Sequence, residues 1–108
     1  AANIDLPDDT RVLFTNTTAP KGYPVAGFAW MLIHENLDKN NAISNRDQAL
    51  DVVEFVIWAI TDGQELSEGL GYARLPKAAI ERNINMIKEI KWEGEKIGEE
   101  LLKKHNLI

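Results

Sequence analysis

From Val52 to Ile60 the only polar side chain is Glu54, and this apolar run organises the rest of the chain. Val52, Val53, Phe55, Val56, Ile57, Trp58 and Ile60 cover nearly the whole circumference of a helix, and such a helix is buried on most faces. Ala49, Val52, Val53, Val56, Ile57 and Ile60 follow the three-and-four spacing of one face, while Phe55 and Trp58 add a second contact side. Ser44-Asn45-Arg46-Asp47 has the form of a capping box that starts this helix at Ser44. The run breaks at Thr61-Asp62-Gly63. Asp62 followed by Glu65 is suited to cap a short second helix, which Gly69 or Gly71 closes with a left-handed residue. On this reading Trp58→Ala ranks among the most damaging substitutions, at about 3–5 kcal/mol.

A second apolar run, Val25 to Ile33, follows Tyr23-Pro24. Proline holds the preceding residue extended, and a run without polar residues suits a central strand buried on both faces, with Gly27 marking a bulge or a close approach. Arg11 to Thr15 is β-branched and aromatic enough for a short strand. Around these lie a polar N-terminal stretch with Pro7 and Asp8-Asp9, a loop from Asn16 to Gly22, and a polar segment from His34 to Ile43 with Asn40-Asn41 at the surface. Pro76 fits a first helical position, and Lys77 to Glu89 places Ile80, Ile84 and Ile87 on one stripe. Lys91 to Ile97 reads as a glycine turn between extended residues. The tail has helix support from Glu99 to Lys103 and from Glu100 to Lys104.

Two strands and three to four helices make the expected fold class α/β. At 108 residues the chain is one domain at most, and its charged share of 27% argues against disorder. A net charge of −5 opposes the basic footprint of a nucleic-acid binder. Without cysteine there are no disulfides, Cys-based zinc sites or thiol nucleophiles. The sequence opens Ala1-Ala2-Asn3 without Met, which reads as a processed or trimmed chain or a piece of a longer one.

Candidate chemistry is sparse. His34-Glu35 has the opening of a zinc-protease helix, but Asp38 stands where the second histidine belongs, and His105 is far off in the tail. Asp8-Asp9, and Asp47 with Asp51, lack a partner nucleophile and read as solvated or capping groups. Gly63, Gly69 and Gly71 follow a helix instead of a strand, so they are helix stops and not a nucleotide loop. Asn16-Thr17-Thr18 reads as ordinary loop. Trp30 and Trp58 belong in the core, while Trp92 is open to other uses. No catalytic residue, metal ligand or cofactor site is assigned.

Three passages resemble one family: YPVAGFAWMLI from Tyr23 to Ile33, FVIWAITDGQ from Phe55 to Gln64, and LGYARLP from Leu70 to Pro76. In order and spacing they are similar to the C-terminal third of the extracytoplasmic phosphate-binding proteins of phosphate ABC transporters. Arg74 departs from the family, where a small residue is common, and Gly98 to Ile108 runs past its usual end. The resemblance implies the C-terminal part of a type II periplasmic-binding-protein lobe, incomplete as a sheet by itself. Residues 1–22 would belong to the second lobe and the approach to the hinge. Residues 23–108 would form the hinge crossing, at Tyr23 and Pro24, and complete the first lobe.

The implied role is a solute-binding component that holds inorganic phosphate and delivers it to a membrane permease, outside the cytoplasm and without catalysis. The family's phosphate donors lie in its N-terminal two thirds, so none of the ligand-binding residues is expected here. The expected partner is the missing N-terminal part or a second copy, docked along Val25–Ile33 or Arg11–Thr15. The alternative is a structural or interaction domain that reuses this piece, as a dimer and without solute binding.

Overall fold

A computed structural model describes residues 6–11, 20 and 26–108. Among them are three α-helices: α1 (Arg46–Ile60), α2 (Lys77–Lys88) and α3 (Ile97–Lys104), with 3₁₀ turns at Leu37–Lys39, Asp62–Leu66 and Glu68–Leu70. α3 packs against both α1 and α2 and joins them. The core consists of Leu37, Ala49, Val53, Val56, Ile57, Ile60, Ile87, Ile90, Ile97, Leu101 and Leu102.

The α/β expectation is overturned: the described residues form a helical unit with no strand or sheet. The predicted central strand is irregular from Ala26 to Ile33, and Leu32 is 97% exposed. An apolar run can occupy a central strand only if neighbouring strands take up its amides and carbonyls, and there is no such strand among the described residues. Among the described residues, extended pairing is confined to two isolated bridges, a parallel one between Asn36 and Lys91 and an antiparallel one between Trp92 and Glu95. Of the other predicted strand only Arg11 is described, outside any strand; Val12–Thr15 lie outside the described residues. So do Tyr23 and Pro24, and with them the proposed hinge and the boundary at residue 22.

α1 forms where the apolar spacing places it, with a cap one residue later than predicted. Asn45, not Ser44, is the N-cap: its side chain accepts from the Gln48 amide at 3.0 Å, and the Ser44 amide donates to Gln48 Oε1 at 2.8 Å. Asn45 and Gln48 thus make a shifted capping box, and Asp47 takes no part in it. α1 is not covered all round. Ala49, Val53, Val56, Ile57 and Ile60 are buried, whereas Phe55 and Trp58 are 57% and 45% exposed. The two helices available, α2 and α3, cover one side of a cylinder, which leaves the opposite side bare.

The end of α1 is held by polar contacts at a half-buried turn. Thr61 Oγ1 donates to the Ile57 carbonyl at 2.6 Å. The Gln64 amide donates to the Ala59 carbonyl at 2.7 Å while its oxygen accepts from the Leu75 amide at 2.8 Å, so one side chain joins α1 to the loop before α2. Gly63 passes close to Trp58, where a Cβ would lie 2.9 Å from the Trp58 carbonyl oxygen and 3.1 Å from the indole ring. Asp62 opens a 3₁₀ turn without capping it, and Gly71, at φ 85°, ends the next one in the left-handed conformation.

α2 follows Pro76 directly, one residue later than a first-position proline would set it. The predicted glycine turn is present: Trp92 and Glu95 exchange backbone hydrogen bonds at 2.9 Å each, across Glu93 (φ 48°) and Gly94 (φ 83°). Two consecutive positive φ values match the twist of a tight hairpin. In α3, Glu99 pairs with Lys103 at 3.5 Å as predicted, but Glu100 and Lys104 both turn to α1. Arg46 reaches Glu95 at 3.1 Å and Glu100 at 2.9 Å, fastening the start of α1 to the hairpin and to α3.

Candidate functional site

The described arginines do not converge on a common point. Arg11 pairs with Asp9 at 2.6 Å, Arg82 with Asp8 at 2.8 Å, and Arg46 with Glu95 and Glu100, while Arg74 is exposed in the loop before α2. The hydrogen bond that Arg46 donates to Glu95 holds its guanidinium more firmly protonated than usual, against the opposing effect of desolvation. The Arg11 amide, then its side chain, lowers the Asp9 pKa. These are mutual ion pairs within the chain. An oxyanion taking the same cations would have to displace a carboxylate from each.

Asp8 and His34 lie apart, in separate grooves. Asp8 lines a shallow groove of about 330 Å³ with Asn85, Met86 and Glu89, and His34 borders another of about 370 Å³ with Leu32 and Ile33. No group of His, Asp and Glu side chains among the described residues has the spacing of a metal site. Trp92, which the sequence leaves open to other uses, is half-buried and packs against the core. Trp30 is 45% exposed rather than buried, and its indole donates to the Thr10 carbonyl at 3.3 Å.

One polar constellation was not visible from spacing. Glu54, the lone polar residue of the apolar run, meets His105 Nε2 at 2.7 Å and Lys104 Nζ at 3.4 Å, tying the middle of α1 to the end of α3. Burial raises the Glu54 pKa, but the hydrogen bond and charge of His105, aided by Lys104, outweigh it and leave a net lowering. A carboxyl whose folded pKa is depressed adds stability above its unfolded pKa and loses it as pH falls through the folded value. Glu54→Gln should therefore lower the urea midpoint at about pH 6, and the gap to the parent should close towards about pH 3. Paired denaturation curves at the two pH values check this; a gap that persists in acid contradicts the ion pair. The clasp is partly exposed and joins two helices, which marks it as structural.

What the surface does present is apolar area. Trp30, Met31 and Leu32 are exposed on the N-terminal arm, Phe55 and Trp58 on α1, and Leu66, Leu70 and Tyr72 on the turns that follow. The Phe55 and Trp58 rings lie 6.1 Å apart at 31°, a contiguous pair one helical turn apart. Contiguous exposed apolar groups, as at Phe55 and Trp58, mark a contact surface more often than single ones do. No family model, curated protein or solved structure matches this chain.

Proposed function

We propose that this chain is the C-terminal portion of an extracytoplasmic phosphate-binding protein that delivers phosphate to the membrane permease of an ABC importer. The reading starts from the order and spacing of the passages at Tyr23–Ile33, Phe55–Gln64 and Leu70–Pro76. It concerns the role of the helical unit and not the α/β lobe, which the described residues do not form. The observation that carries it is the arm from Ala26 to Ile33, an apolar segment with Met31 at 53% and Leu32 at 97% exposure. Such a segment is stabilised when another polypeptide covers it, and the N-terminal part of a binding protein is a partner of that kind. The same surface supports a second reading, an interaction domain that dimerises without binding solute.

Phosphate leaves water only for several convergent donors, and Arg11, Arg46 and Arg82 are each paired with a carboxylate of the chain at separate places. Calorimetry on the isolated chain should give no phosphate isotherm or only a weak one, and binding should return when the N-terminal two thirds of a phosphate-binding protein is co-expressed with it. A stoichiometric micromolar isotherm from the 108 residues alone would show a site within them. Failure to recover binding from the assembled pair, together with a dimer in sedimentation equilibrium, would favour the interaction domain.

A further inference from the structure

The side of α1 turned away from the core has an ordered composition. At 100° per residue, Asp47, Asp51, Phe55 and Trp58 fall on one stripe, opposite Ala49, Val53, Val56 and Ile60. All four are exposed. The stripe is acidic along its first half and aromatic along its second, and spans about 16 Å. Among the described residues no cation pairs with Asp47 or Asp51; the basic groups beside α1 are taken, Arg46 by Glu95 and Glu100, and Lys104 by Glu54. Asp47 lies in the first turn, where a carboxylate favours the positive end of the helix. Asp51 lies a turn further on, where that effect has faded, so the helix does not by itself account for it.

We propose that this stripe is a docking face for a polypeptide segment that sets lysine or arginine side chains against Asp47 and Asp51 and an apolar row against Phe55 and Trp58. Charge order selects this occupant over a second copy. Two α1 stripes packed in parallel bring Asp47 and Asp51 against their own counterparts, and packed antiparallel they press Asp51 onto an aromatic ring with no cation to offset its desolvation. A membrane surface rich in anionic lipid is repelled by the same carboxylates. The inference is independent of whether phosphate is the solute, because it needs only the geometry of α1.

The test is titration of the isotopically labelled chain with two designed amphipathic helical peptides, identical in their leucine row and flanked by lysines in one and glutamates in the other. Amide shifts should concentrate at residues 47–58, with the lysine peptide bound about fivefold tighter or more at low salt. Asp47→Asn with Asp51→Asn should remove that preference while leaving the fold intact, and Phe55→Ser should weaken both peptides. Equal affinity for the two peptides, shifts centred away from α1, or a concentration-dependent dimer whose interface protects Phe55 and Trp58 would each overturn the proposal. Binding to phosphatidylcholine vesicles in preference to the lysine peptide would do the same.

Discussion

Replacing Gly98 with alanine is expected to destabilise the chain more than any other exchange of one methyl group. An added Cβ would run into the backbone carbonyl of Ile87, with its carbonyl carbon at 2.9 Å and Ile90 Cβ at 3.3 Å. None of these is the free end of a flexible side chain. The Gly98 amide also donates to the Ile90 carbonyl at 3.1 Å, so the first turn of α3 is held against the end of α2 and cannot simply move off. Glycine is required for the close approach, not for a left-handed conformation. The overpacking cost is put at about 3 kcal/mol, which corresponds to a fall of about 15 °C in Tm. A thermal melt followed by circular dichroism checks it; a drop of only a degree or two would mean that α2 and α3 are not in this contact.

Leu37→Ala should cost about 3 kcal/mol and exceed Trp58→Ala, which is expected at about 1–2 kcal/mol. Leu37 is 0% exposed against 45% for Trp58, so truncation empties a closed site in the first case and trims a half-solvated ring in the second. Leu37 also anchors the chain around it. Its amide donates to the Lys91 carbonyl at 2.9 Å, and the Lys91 amide donates to the Glu35 carbonyl at 2.7 Å, fixing the polar segment before α1 to the hairpin after α2. Urea midpoints of the two variants decide the order. A larger loss for Trp58 would restore the picture of α1 as a helix covered on every side.

That ordering reverses the expectation from local pattern, for a specific reason. Trp58 and Leu37 differ in what surrounds them, and the surroundings are set by packing. Trp58 sits in the most apolar run of the chain but projects from the side that α2 and α3 leave open. Leu37 sits in a polar stretch, HENLDKN, where nothing local marks a core residue. Gly98 was equally silent, since a glycine near a helix start has many readings until another backbone is found beside it. The Glu54 clasp joins positions some fifty residues apart, beyond the reach of any spacing rule.

By itself the sequence determined the local elements: α1 and α2 from their apolar periodicity, a left-handed glycine stop at Gly69 or Gly71, the glycine turn within Lys91 to Ile97, and the Glu99–Lys103 pair. These depend on neighbours within a few residues, where propensity and turn geometry act directly. Only the tertiary structure decided that Ala26–Ile33 lies outside any strand with Met31 and Leu32 exposed, that α1 keeps one side bare, and that Leu37 and Gly98 are the tight points. An apolar run states that burial is favourable but not which surface supplies it. Strand, buried helix and uncovered arm share that pattern, and the partners present in space separate them.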